Sequence, residues 1–302
     1  MSIPLFDCHC DTIARIMAEG GSLRESGFHT DLERLHEFEP CAQVFAVCTE
    51  TLDQPAQKAD AMLRQLKREI EENSDIVKLC LNFHDIKTAA ERGKTAAFIS
   101  IEGCEQISSL EDAYQSGVRI LHLTWNFDNE LCGSVMQSGR GLSEKGRAFV
   151  KKAQQMGFAL DMSHISEHGF WDTIELCEKP VIAGHSDAKA VCNVPRNLTD
   201  EQFKALIAVG GGAGINMYPE FLGLGRDIDA VIAHIEHFLS LGGENSVFLG
   251  CDFDGIDCTP LRLDGVQKLD KLYDGLLMRN YPEDLVRALF WDNLYDIMEK
   301  ML

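Results

Sequence analysis

Residues 3–12 read IPLFDCHCDT, a short apolar run with acids, a histidine and cysteines at its tip. Strand side chains alternate between two faces, so Asp7, His9 and Asp11 are expected on one face and Cys8 and Cys10 on the other. The same arrangement, an apolar strand with a polar tip, recurs along the chain. Strand candidates lie at Ile3–His9, Ala42–Cys48, Ala96–Ile101, Arg119–Thr124, Ala159–Ser163, Val181–Ala183, Gly212–Met217 and Val247–Gly250. Amphipathic helical patterns fall between them, among them Gln57–Asn73, Ser143–Met156, His168–Glu178, Asp200–Ala208 and Asp227–Leu241. Thr199 or Asp200 reads as a helix N-cap, and Pro282–Asp284 opens a last helix. Strands alternating with helices predict parallel βαβ units. The alternation alone admits an open doubly wound sheet or a closed barrel, and a count of eight strands favours the α/β (β/α)8 TIM barrel. No Pro- or Gly-rich linker divides the chain, so residues 1–302 are read as one barrel domain with a C-terminal helical segment from Pro282 to Leu302.

Composition narrows the function classes. The 302 residues are 45% hydrophobic and 25% charged, with a formal net charge of −20. A phosphate-binding surface needs clustered cations, and the short basic runs at 67–68 and 151–152 read as solvated helix faces. Neither nucleic acid nor a membrane is expected as a partner. The opening residues have no basic start and no long apolar run, so a signal peptide is not expected. The eleven cysteines lack paired spacing and several sit in apolar runs, as in Ala46–Cys48. They read as reduced, buried thiols of a cytoplasmic protein.

The polar strand tips carry the chemistry. The first strand supplies His9 and Asp11, the third Glu102, the fifth His164, the sixth His185, and the eighth Asp252 and Asp254. In a barrel these tips converge on one mouth, where such folds place their active sites. Histidines and carboxylates gathered in one cup suit zinc, and the set is large enough for two ions with a carboxylate between them. A lone histidine at a strand end is usually structural; the joint pattern across five strands carries the reading. His168 is expected to face solvent or cap a helix, and His234 and His237 to lie on the surface. His29, His36 and His84 have no evident carboxylate company.

Taken in order, the motifs DCHCD (7–11), SIEG (100–103), LTWN (123–126), DMSH (161–164), GHS (184–186), VPRN (194–197) and GCDFDG (250–255) resemble the membrane dipeptidase family, also called renal dipeptidases, of the amidohydrolase superfamily. The resemblance spans nearly the whole chain. It implies a (β/α)8 barrel of the metal-dependent amidohydrolase type, with a dinuclear zinc site that hydrolyses dipeptides. By the same resemblance His9 and Asp11 are ligands of the first zinc, Glu102 bridges, and His164 and His185 bind the second. Asp252 handles the proton of the bridging water, and Arg196 and Tyr218 grip the substrate's terminal carboxylate. Tolerance of a D-residue at the C-terminal side is also implied.

Two departures bear on this. Many members carry a histidine, thought to help bind the scissile carbonyl, where this chain has Trp125. The ions would then carry more of that task, or Asn126 would contribute. His122 lies three residues before Trp125 and is expected to point to the opposite face. Cys8 and Cys10 stand where the family commonly has glycine and asparagine, on the face expected to turn from the metals. The ligand cup alone would also permit a deaminase, a lactonase or a non-catalytic metal-binding relative. The VPRN segment argues against the first two and the full donor set against the third. A homodimer is an admissible assembly.

Overall fold

The computed structural model describes residues 2–223 and 225–302. Its strands are β1 (Leu5–Cys10), β2 (Cys41–Val47), β3 (Val77–Leu79), β4 (Thr95–Glu102), β5 (Val118–His122), β6 (Ala159–Asp161), β7 (Ile182–Ala183), β8 (Gly212–Ile215) and β9 (Val247–Leu249). All pairings between them are parallel. β1 pairs with both β2 and β9, and β2 pairs directly with β4, so eight strands close into the (β/α)8 barrel. β3 is the strand that the sequence pattern did not disclose. It pairs only with the base of β4, Val77 against Thr95, while β5 takes the upper half of β4 from Ile99 to Glu102. Its residues, VKL, carry a lysine in the middle of a short run, which breaks the apolar signal that the similarly short β6, β7 and β9 keep.

Two apolar layers hold the barrel. Phe6, Val44, Phe98, Ile120, Ile182 and Phe248 point inward and pack as one buried cluster. The last helix, Asn293–Met301, closes the bottom of that cluster with Leu294, Ile297, Met298 and Met301. Phe6 stacks on Phe98 at 6.3 Å between centroids and meets Trp291 at 5.6 Å. The outward residues, such as Leu5, Phe45, Ile99, Leu121 and Leu249, lie under the surrounding helices. A side-chain cap starts several of those helices: Ser143, Ser166, Thr199 and Asp227 each accept a first-turn backbone N–H. At Thr199 the cap is reciprocal with Gln202, which settles that helix's start at Asp200.

β1 departs from simple alternation. Asp7 pairs with Gln43, yet Cys10 pairs with Phe45, so three steps on β1 match two on β2. This bulge redirects the side chains that follow it. Phe6 and Cys8 belong to the inner cluster, and Leu5 and Cys10 to the outer one. The expectation that Asp7 shares a face with His9 and Asp11 therefore fails, as does that of Cys8 sharing a face with Cys10. Asp7 stays outside the donor cluster, where its Oδ1 accepts the Cys251 N–H at 2.8 Å. None of the described helices is long and apolar enough to cross a membrane.

Candidate metal centre and substrate cleft

The strand tips meet at one end of the barrel. His9 Nε2 lies 3.1 Å from Asp11 Oδ2, 3.7 Å from Glu102 Oε2 and 3.8 Å from Asp252 Oδ1. The other oxygen of Glu102, Oε1, lies 2.9 Å from His164 Nε2 and 3.3 Å from His185 Nε2. Those two imidazole nitrogens are 3.0 Å apart. Glu102 thus stands between two donor groups, one oxygen toward each.

Backbone geometry sets these tips. His164 and Asp252 adopt φ of 66° and 60°, a region that non-glycine residues rarely enter. Such conformations concentrate at functional sites, where the surroundings over-determine them. Gly250 is required for a different reason: a Cβ there would collide with the Gly184 carbonyl, where β7 and β9 approach closely. Asp254, also at positive φ, is committed elsewhere. Its carboxylate accepts the Thr12 hydroxyl at 2.6 Å and the His29 N–H at 2.6 Å, anchoring the loop after β1.

The donor chemistry fits a cation. Asn126 Oδ1 lies 2.9 Å from His164 Nδ1 and, being an acceptor only, takes a hydrogen bond from the Nδ1–H. His164 Nε2 is then a lone pair facing His185 Nε2 and a carboxylate oxygen. Lone pairs crowded this way repel unless positive charge lies among them. Burial drives His164 down to about 4, helped by Arg196, and drives His185 well below the usual imidazole range, helped by His9. Both are therefore neutral at pH 7. Burial opposes charge on His9 too, but Glu102 and Asp11 outweigh it and push His9 up to about 10. Burial works against the Glu102 carboxylate, yet His9 and His164 hold it well below the ordinary range. Burial raises Asp11 to about 7 and Asp252 to about 6. Protons held here would leave as a divalent ion entered.

Above these donors lies a cleft of about 400 Å³. Trp125, Met136, Phe221 and Ile256 form apolar parts of its wall, with Glu50 and Asp257 among the polar parts. Trp125 lies 6.4 Å from the His164 ring and edge-on to Phe127 at 5.4 Å. Arg196 is buried at the cleft wall. Its Nη1 donates to Ser186 Oγ at 3.2 Å and its Nη2 to the His185 carbonyl at 3.3 Å, while Nε has no partner. Tyr218 packs edge-on to Phe221 at 4.9 Å, and the Arg196 guanidinium sits 5.5 Å over that same ring. Asp252 Oδ2 accepts from Asn216 Nδ2 at 2.8 Å.

The sequence matches the membrane dipeptidase family, peptidase family M19, over residues 1–301. The chain belongs to that family. It is accordingly a metallo-dipeptidase, a hydrolase of peptide bonds. A Klebsiella pneumoniae protein, described as uncharacterised in the pqqA 5′ region, is 32% identical over 267 residues, 82% of this chain and 98% of that one. The metallo peptidase from Rhodobacter sphaeroides, liganded with a phosphinate mimic of the dipeptide L-Ala-D-Ala, is 26% identical with a TM-score of 0.92 over 100% of both chains. Dipeptidase AC, a metallo peptidase of family M19, is 26% identical with a TM-score of 0.93 over 100% of this chain and 99% of its own.

Ten of the residues singled out from the sequence, His9, Asp11, Glu102, Trp125, Asn126, His164, His185, Arg196, Tyr218 and Asp252, lie in or against this donor cluster and cleft, whereas Asp254 is engaged by Thr12 and His29. Asn126 has its carboxamide oxygen engaged by His164. The sequence reading missed Cys48 at the tip of β2, whose thiol falls within a donor group with Asp11 and Glu102, and Asn216, which holds Asp252. It also misjudged His122. Alternation counted back from Trp125 turns His122 away, but β5 ends at His122 and Trp125 belongs to the following loop. His122 continues the inward line of Ile120 and falls in a donor group with His9, Glu102 and His185. His234, expected on the surface, is fully buried. Its Nδ1 accepts the Ala188 N–H at 3.0 Å and its Nε2 meets the Leu222 carbonyl at 3.1 Å.

Proposed function

We propose that this chain is a zinc dipeptidase with two ions per molecule, acting on free dipeptides and accepting a D-residue at the C-terminal side. The observation that carries this reading is the posture of Glu102, one oxygen near His9 and the other near His164 and His185. His9 and Asp11 would hold one ion and His164 and His185 the other, with Glu102 shared. Zinc bound there supplies a Lewis acid and an acidified water.

The protein's own groups do the rest. Asp252 accepts the proton of the attacking water and returns it to the leaving amine. Asn216 fixes its Oδ2, leaving Oδ1 directed toward the His9 side. Arg196 takes the substrate's carboxylate through its planar fork, with Ser186 and the His185 carbonyl aiming the guanidinium. Tyr218 and Phe221 border that end of the cleft, and Trp125 and Asn126 the reacting end. Grip on a free carboxylate selects short substrates and depends little on the handedness of the residue that bears it. The L-Ala-D-Ala mimic bound by the Rhodobacter sphaeroides protein supports that part of the reading. A reducing, cytoplasmic setting is supported by the cysteines, all eleven of which are free thiols.

The test is a dipeptide panel, L,L and L,D, assayed with chelated protein and after zinc return, with elemental analysis of protein purified without chelator. Hydrolysis that is lost and restored, with about two zinc ions per chain, is expected. Metal-loaded protein inert toward every dipeptide would overturn the reading.

A further inference from the structure

Beneath the donors lies an imidazole that the two-ion scheme leaves unused. His122 ends β5 with its side chain inside the barrel, and it is fully buried. Its ring centroid is 5.3 Å from that of His9 and 5.6 Å from that of His185. Neither of its nitrogens has a hydrogen-bond partner. A buried imidazole with both nitrogens unsatisfied is costly, because each has lost water without replacement. The structure offers two groups that could satisfy it. Asp161 Oδ2, itself buried and without a partner, lies 3.6 Å from Nε2. On the cluster side, a ring nitrogen of His122 and one donor atom each of His9, Glu102 and His185 all lie within 4.8 Å of one another.

We propose that His122 is a further nitrogen donor of the metal centre, approaching from the barrel interior and oriented by Asp161. The proposal rests on the two-ion reading above and adds to its donor set. Metal-binding histidines commonly turn one nitrogen to the ion and the other to a carboxylate, and Asp161 Oδ2, 3.6 Å from Nε2, is the carboxylate that would take the second place here. Asp161 is suited to the second task because its other oxygen is already fixed. Oδ1 accepts the Ser163 N–H at 2.8 Å and the Gly184 N–H at 2.9 Å. One carboxylate thus braces the turns that carry His164 and His185 and faces His122 as well. His122 would add an imidazole either to the ion held by His9 and Asp11 or to the one held by His164 and His185, beside the shared Glu102. Either donor set suits zinc better than a cation preferring oxygen ligands, such as manganese.

The experiment compares wild type with His122→Phe and His122→Leu, two fillings of similar volume that cannot bind metal. Zinc stoichiometry and affinity are measured by competition with a chromophoric chelator, and coordination by the visible spectrum of the cobalt-loaded protein. The variants are expected to hold one ion roughly 10–100-fold more weakly, with a changed cobalt spectrum and a smaller preference for zinc over manganese. Asp161→Asn should shift affinity in the same direction by less. Thermal melts of the metal-free proteins identify any variant that has lost its fold, and the other variant then decides. Wild-type affinity and spectrum in a folded variant would overturn the proposal. Wild type that binds no divalent ion would instead overturn the two-ion reading.

Discussion

The inward face of β4 holds two environments four residues apart. Phe98, at the floor, is stacked on Phe6 and sealed by the last helix. Glu102, at the mouth, is equally buried but is surrounded by imidazoles. At the floor, burial and packing agree, and every contact adds to stability. At the mouth, burial opposes charge, and the residues coexist only because opposite charges, or an ion, compensate. One strand therefore carries a stabilising end and a chemically poised end, the division expected of a barrel enzyme.

The largest expected effect tests the floor. Phe98→Ala should cost about 3–5 kcal/mol of unfolding free energy, the range for deleting a buried aromatic, with zinc content unchanged. Denaturant titration beside elemental analysis checks both. Loss of zinc from the folded variant would break the separation of the two ends.

His234 sharpens the comparison, because from its helix it packs against the segments that follow β7 and β8 yet is held like a floor residue. Burial lowers it from 6.5 to about 4. Its depressed folded value means that the unfolded chain takes up a proton first as pH falls. Stability is then undiminished above pH 6.5 and is lost progressively between 6.5 and 4, by roughly 3 kcal/mol at one pKa unit per 1.36 kcal/mol. Unfolding free energies of wild type and His234→Gln, measured from pH 7 to 4, should diverge in slope over that window. Parallel curves would show that His234 is not the responsible group.

Two smaller effects belong to the mouth alone. Asp252→Asn should lower turnover by roughly 10²-fold or more, the scale of a positioned acid–base group, while zinc and melting temperature hold. Near-normal turnover would move the base elsewhere. Arg196→Met should lower kcat/KM on dipeptides by roughly 10–10²-fold, and should largely abolish the wild type's preference for a free acid over the corresponding dipeptide amide. An undiminished preference in the variant would take Arg196 out of carboxylate recognition.

The mouth was more legible in the sequence than its supports. His9, Glu102, His164, His185 and Asp252 each end an apolar run, so strand recognition and donor chemistry pointed to the same positions. The supports lack such a signature. His122 was obscured because alternation was carried past the end of β5 into a loop, where it no longer applies. The face of Asp7 was misjudged because a bulge leaves no mark in a single sequence. His234 sits on an amphipathic helix whose packing against Ala188 and Leu222 is set by tertiary structure. β3 escaped because Lys78 interrupts its three residues, whereas the similarly short β6, β7 and β9 sit in apolar runs. The eight barrel strands were legible because each is long or apolar enough to stand out between helices.

The bulge in β1 has a bearing on how this chain tolerates change. His9 and Asp11 face the donors because one residue more stands between Asp7 and Cys10 than the pairing with β2 uses. Their placement is thus a matter of spacing and not of the side chain that fills the space. Exchanging Cys8 for another small residue keeps the count. Removing it would restore regular pleating with the histidine still inward, in the place that Cys8 now holds, so what the bulge adds is a second consecutive inward side chain. The bulge thus lets two successive residues serve the barrel interior, Cys8 in the packed floor and His9 in the donor cluster above it.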